Sequence, residues 1–383
     1  MSESCWLAQT FLTETKSEST PHRDSLSMIA PSKTVIRFIA TVLTLNLIIT
    51  SHAADQVTRR SDRSVLRGEF TAMTTASVKI KQVNNQEVEV PVSDIFNVAF
   101  DMQPSTLTQA QSNERSGALD AALEKLTAVQ KDYGGDDKRL VEDIKFLIAR
   151  TKVKAALANP AIAADAQKAI SDFRTQNKMN FRYFEATLLE AQLLSLDAAN
   201  ADASETLLKE VQASPVKGFQ LQAGVQLGRL LLSKKDTAGA LTAFDQVIQT
   251  STGDAGATSA MFDGMLGKAL CQQQQGQVDE AITTLNEIIT KASESETQTL
   301  AEAWVLKGDC QRTKNLPKDA LWAYLQVDVL YPSEPAAHAE ALYRLAGLWA
   351  PAGHQDRADD ARQRLMEKYP NSSWAKQGAP ATP

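Results

Sequence analysis

The stretch Ala301–Pro332, AEAWVLKGDCQRTKNLPKDALWAYLQVDVLYP, limits what the rest of the chain can be. It places Trp304 ahead of Gly308, Ala320 ahead of Tyr324, and Pro332 at its end. Small residues at Gly308 and Ala320 let two antiparallel helices approach closely. Trp304 and Tyr324 fill the space on either side, and Pro332, lacking an amide donor, ends the second helix. A hairpin of this kind cannot bury its own apolar face, so it requires neighbours.

The neighbours are present. Leu221–Ile248 repeats the frame with Leu227, Gly228, Leu231, Ala240, Phe244 and Val247. Phe262–Ile289 repeats it with Ala269, Gly276, Ala281, Leu285 and Ile288. Ala339–Pro370 gives Leu342, Ala346, Trp349, Gly353, Ala358, Leu365 and Pro370, with Arg362 where an aromatic is expected. The small positions Gly228, Ala269, Gly308 and Ala346 recur at steps of roughly 38 to 41 residues, against about 34 for a minimal unit, so extra residues sit between repeats. In these residues the chain resembles the tetratricopeptide repeat (TPR) family, strongly over its C-terminal half and more weakly from Pro104 onward. The resemblance implies a mainly α, right-handed solenoid of helical hairpins.

Residues 1–53 read as a leader. Phe38–Ile49 is an apolar run too short to span a bilayer comfortably; Lys33 and Arg37 precede it and Ser51-His52-Ala53 follows. This is the pattern of a signal peptide over 28–53, cut after Ala53, with 1–27 an extension or a mis-assigned start. The rival reading is an uncleaved anchor, the only case in which a weak membrane association is expected. The expected location is therefore the periplasm or another exported compartment. The net charge of −6 is unchanged by removing the leader and gives no basic footprint for nucleic acid. Export makes the two cysteines beyond the leader relevant. Cys271 and Cys310 occupy equivalent places in adjacent units, where helix axes lie about 8–10 Å apart. A disulfide needs Cα atoms within about 7 Å, which favours two buried thiols over a bridge.

Residues 57–103 alternate with a strand-like period and are expected to form a small β domain. Leu66–Thr71 contains Gly68, which permits strong bending. Ser77–Val83 and Glu87–Val92 flank Asn84-Asn85, which suits a hairpin turn, and Ile95–Phe100 supplies a further strand. The order resembles SH3-like or Sm-like barrels. That resemblance implies a cell-wall peptide ligand or, for Sm-like modules, RNA, which export and the lack of lysines clustered with aromatics argue against. The other reading is a structural cover for the first helix of the solenoid, whose ends need covering.

Residues 104–217 read as degenerate helical hairpins, beginning with Pro104–Tyr133 and a long amphipathic helix at Leu140–Leu157. Residues 218–376 carry the stronger repeats and 377–383 a disordered tail. Six or seven hairpins are expected in all. The ending Tyr369-Pro370-Asn371-Ser372-Ser373-Trp374-Ala375 is similar to repeats of cell-envelope TPR proteins such as the Tol–Pal-associated division coordinator and outer-membrane assembly factors, where the aromatic covers the last helix pair.

Catalytic patterns are missing from the sequence. Beyond the leader only His338 and His354 remain, both expected as solvated turn residues, and neither belongs to an HExxH or CxxC set. There is no GxxxxGK[ST] loop and no GxSxG elbow. No catalytic residue, metal or cofactor is expected. The family resemblance instead implies a groove lined by the first helix of each unit. Carried over position by position, its lining is Gln222, Val225 and Arg229; then Asp263, Leu266, Leu270 and Gln273; then Glu302, Val305, Asp309 and Arg312; and finally Glu340 and Tyr343. The mixture of charge and modest apolar surface suits an extended or helical peptide, against the alternative that these are ordinary solvated side chains. Trp322 lies where a second helix faces solvent, as an interface residue or packed on an enlarged loop. The sequence-level expectation is an exported, non-enzymatic TPR scaffold for protein or peptide partners of the cell envelope. The alternative is a peptidoglycan-binding module acting through the small β domain, with the solenoid as a spacer.

Overall fold

The computed structural model describes residues 54–377. The leader expected over 1–53 and residues 378–383 of the expected tail lie outside the described residues. Strands β1 (Asp55–Arg59), β2 (Val65–Met73), β3 (Ser77–Gln82), β4 (Glu87–Pro91) and β5 (Ile95–Ala99) form one antiparallel sheet in the order β4-β3-β2-β1-β5. Alternation puts Val57, Val78, Ile80, Val90 and Val98 on one buried face. Gly68 is required where β2 crosses β3, because a Cβ there would sit 2.0 Å from the Lys81 carbonyl oxygen. Asn85 takes a positive φ of 64° in the β3–β4 turn. A single 3-10 turn, Val92–Asp94, separates β4 from β5.

Strand β1 begins earlier than the alternation suggests, at Asp55. Its sequence, DQVTR, contains one apolar residue, so pattern alone does not reveal it. Its position is fixed by partners instead. The buried Asp55 carboxylate accepts from the backbone N–H of Phe70 (3.1 Å) and of Asp101 (2.9 Å), and pairs with Arg139 at 3.1 Å.

Seven helical hairpins follow among the described residues: α1 (Ser105–Arg115) with α2 (Leu119–Asp132), α3 (Lys138–Ala158) with α4 (Ala163–Gln176), α5 (Tyr183–Leu194) with α6 (Ala201–Gln212), α7 (Lys217–Ser233) with α8 (Thr237–Ser251), α9 (Thr258–Gln274) with α10 (Val278–Lys291), α11 (Thr297–Thr313) with α12 (Pro317–Leu330), and α13 (Pro335–Trp349) with α14 (Gln355–Lys368). A short α15 (Ser373–Lys376) closes the array. Each hairpin contacts the next, as a solenoid requires.

Five hairpins turn the same way. Gly117, Lys235, Gly276, Asn315 and Gly353 all have positive φ between α1/α2, α7/α8, α9/α10, α11/α12 and α13/α14. In each, that residue's N–H bonds to the carbonyl three residues back, and the next N–H to the carbonyl five residues before it, such as Asn315 to Arg312 and Leu316 to Gln311. This is a Schellman ending, which satisfies the last carbonyls of the first helix and reverses the chain. The α3/α4 and α5/α6 hairpins instead turn through the 3-10 segments Pro160–Ile162 and Ala198–Asn200, whose starts are capped by Asn159 and Asp197.

Small residues do the work the spacing implies. A Cβ on Gly308 would meet the Tyr324 ring at 2.6 Å, and one on Gly228 would meet the Phe244 ring at 2.5 Å. Gly267 stands equally close to Phe244 on the other side, so this ring is wedged between two glycines. The apolar core runs without a break from Val57 in the sheet to Ala243 in α8. Cys271 and Cys310 are buried free thiols, and burial pushes both up to about 11.

His338 departs from the solvated turn expected of it. It is buried, with Nε2 2.8 Å from Asp328 and Nδ1 2.7 Å from the Tyr369 hydroxyl. Asp328 also receives Arg364 at 2.5 Å, so one carboxylate ties α12 to α13 and α14. Burial pushes that carboxyl up, but the bonds from His338 and Arg364 outweigh it and hold the carboxyl down at about 2. His354 is exposed, as expected.

Candidate functional site: the inner-helix groove

The helices α7, α9, α11 and α13 are the first members of their hairpins, and three cavities lie along them. The first, about 680 Å³, is walled by Arg59, Arg60 and Asp94 from the sheet and by Gln222, Val225, Arg229 and Asp263. The second, about 390 Å³, is walled by Arg229, Leu266, Leu270, Glu302, Val305, Asp309 and Glu340, and by Trp374 beyond the last hairpin. The third, about 890 Å³, is walled by Gln273, Asp309 and Arg312, with Lys318, Arg344 and Trp349. Arg229 borders the first two and Asp309 the last two, so the cavities form one run.

Twelve of the thirteen residues placed by family position line these cavities. Their exposure divides them. Gln222 and Arg229 are exposed, and Asp263, Leu270, Gln273, Glu302, Asp309, Arg312 and Glu340 are half-buried. Val225, Leu266 and Val305 are buried and form the floor. Tyr343 borders none of the three; its ring packs on Trp374 with centroids 5.2 Å apart. Trp374 is also covered by the Arg344 guanidinium at 5.0 Å.

Charge along the run is arranged around Asp309. Its carboxylate accepts from the Tyr324 hydroxyl at 2.6 Å and lies 3.2 Å from Arg344 and 3.6 Å from Arg312. Arg344 also binds Glu340 at 3.1 Å. Burial and the nearby Asp309 charge raise Glu340 above the usual carboxylate range despite Arg344. Burial likewise raises Asp263; Arg229 at 3.5 Å offsets this in part, while Glu302 and Glu296 add to it. Desolvated carboxylates of this sort favour an incoming cation or donor.

Reading from family positions missed Lys318, Leu321, Arg344 and Trp374. Three of these come from a second helix or follow the last hairpin, and Arg344 lies off the usual inner positions. Only the ending around Trp374 gave a signal. Trp322 is 62% exposed on α12. Among the described residues no group of three or more His, Cys, Asp or Glu side chains could hold a metal ion, and no helix is long and apolar enough to cross a membrane.

Comparison with known proteins agrees on the fold. The tetratricopeptide repeat family description matches residues 263–295 and 340–372. A tetratricopeptide repeat protein from Parabacteroides merdae is similar in structure at 14% identity, covering 71% of this chain and 95% of that one, with a TM-score of 0.51. NprR in complex with its cognate peptide NprX is similar at 13% identity over 71% of this chain and 80% of that one, TM-score 0.48. PilW, a type IV pilus biogenesis factor, is similar at 15% identity over 63% and 99%, TM-score 0.44. No curated protein matches the sequence. The chain carries tetratricopeptide repeats in a mainly helical solenoid that follows a five-stranded antiparallel sheet.

Proposed function

We propose that the protein is an exported, non-enzymatic scaffold that holds peptide segments of cell-envelope proteins in the groove along α7, α9, α11 and α13. The observation that carries this reading is the continuity of the three cavities, which share Arg229 and Asp309 and combine an apolar floor with charged walls. A TPR fold suggests a protein-binding scaffold. Export is supported by the leader pattern in the sequence, and the envelope setting by the Tyr369–Ala375 ending. The SH3-like reading of the sheet is supported by its strand order and by the 3-10 turn before β5. A covering role for the sheet is supported by the Asp55–Arg139 pair and by the close approach of Ser93 to Gly218 on α7.

The test is affinity capture from envelope extracts with the wild-type chain and with an Arg229→Ala/Leu270→Ala variant. Partners recovered by the wild type and reduced at least about tenfold by the variant are expected, since a few anchors carry most binding energy. Recovery of the same proteins in equal amounts by both chains would overturn the reading.

A further inference from the structure

The largest of the three cavities differs from its neighbours in charge. Arg312, Lys318 and Arg344 face it, against the single carboxylate of Asp309. That carboxylate is already engaged by Tyr324 and Arg344, leaving Arg312 a contact of only 3.6 Å. Lys318 has no ion-pair partner among the described residues. The Arg344 Nε is buried and, although 3.2 Å from Asp309, is not aligned for a hydrogen bond. The central cavity has the opposite balance, with Glu302, Asp309 and Glu340 against Arg229.

Leu321 from α12, Leu348 and Trp349 from α13, and Pro351 after it give one stretch of the remaining wall an apolar surface, while Gln273, Thr313, Asn315 and His354 make the rest of it polar. A cavity of about 890 Å³ is within the usual range for small-ligand sites and exceeds one side chain. Arg344 is held by Asp309 and Glu340, but the Arg312 guanidinium and the Lys318 ammonium are short of acceptors, and beside the apolar stretch they match a carboxylate carried next to an apolar group.

We propose that this cavity receives an acidic residue flanked by an aromatic or aliphatic one in the peptide held by the groove, the carboxylate lying against Arg312 and Lys318 and the apolar side chain against Leu321 and Leu348. The proposal rests on the groove being a peptide site. It sets the placement of charge along the peptide, with the acidic residue at the α12–α13 end of the groove and a neutral or basic stretch over the central cavity.

The test has two arms on the full chain. Displayed-peptide selection is run on the wild type, on Arg312→Gln/Lys318→Gln, and on Arg229→Ala/Leu270→Ala. Calorimetric titration uses 3-phenylpropanoate and its amide as bare probes. Enrichment of acidic–apolar pairs on the wild type is expected, with affinity about tenfold or more weaker on Arg312→Gln/Lys318→Gln, because charge-assisted hydrogen bonds are lost. The acid probe should bind the wild type and the Arg229→Ala/Leu270→Ala variant alike, and the amide neither. Peptides enriched without acidic preference, and lost only on Arg229→Ala/Leu270→Ala, would overturn the proposal and leave the groove standing. Binding of 3-phenylpropanoate with no peptide enriched would overturn a peptide source and the groove reading together, leaving a bare carboxylate site. Failure of both probe and peptides to depend on Arg312 and Lys318 would also overturn it.

Discussion

The hairpins α7/α8 to α13/α14 and the pair α3/α4 with α5/α6 stack in the same array but are held by different forces. In the later group, aromatic rings seat on glycines: Tyr324 on Gly308, and Phe244 between Gly228 and Gly267. In the earlier group the helices are pinned by buried ion pairs. Arg150 joins Glu114 at 2.6 Å and Glu185 at 3.2 Å, and Arg182 joins Asp143 at 2.9 Å and Glu185 at 3.0 Å. Arg174 joins Glu190 at 2.5 Å. Burial pushes the Glu114 carboxyl up, but Arg150 and Lys154 outweigh it and hold it below its usual range. One repeat architecture can therefore take its register from shape or from charge, and only shape leaves a short motif in the sequence.

The comparison breaks most sharply at the aromatic wedge. Tyr324→Ala removes a fully buried ring and the hydroxyl on Asp309, and is expected to cost ~4 kcal/mol in urea unfolding. A loss under ~1 kcal/mol would mean that the wedge does not hold the repeat.

The charged half should respond differently to single and double changes. Arg182→Ala leaves Asp143 buried without its partner and should cost ~3 kcal/mol, whereas Arg182→Met with Asp143→Leu should be near neutral. Thermal unfolding distinguishes these. A double variant as unstable as the single would show that the charges contribute more than register.

The clasp around Asp328 joins both kinds of force. Its carboxyl titrates lower in the folded chain, about 2, than in the unfolded chain, about 4, so its contribution is complete above pH 4 and lost as pH falls toward 2. Wild type minus Asp328→Asn should lose at most about 2 kcal/mol across that window. A difference independent of pH would contradict the ion-paired clasp.

The smallest effect lies in the shared turn. Lys235 occupies, at φ 62°, the position that Gly117, Gly276 and Gly353 fill elsewhere. Lys235→Gly should therefore stabilise by ~0.5–1 kcal/mol, read as a raised Tm, while destabilisation would show that the lysine side chain matters more than the backbone strain.

These contrasts explain what could be read from the sequence. The later repeats were legible because Gly308 and Tyr324 act on each other directly, at a spacing that helix geometry fixes. The register of residues 135–217 was not, since Arg150, Arg182 and Glu185 resemble ordinary surface charges until the fold buries them. Strand β1 was missed because Asp55 is held by hydrogen bonds to distant backbone, and His338 because its partners come from α12 and beyond α14. In the candidate groove, the residues on the inner faces of α7, α9 and α11 were legible from repeat position. Lys318 and Trp374 were not placed there, since no single-helix frame contains them.

The most direct test of the account is a photo-crosslinking side chain placed at Leu270, half-buried in the wall of the central cavity, and in parallel at Trp322, exposed on α12. In intact cells the account expects a discrete protein adduct from position 270, reduced by Arg229→Ala, and little from position 322. Adducts from position 322 alone, or none from position 270, would contradict it.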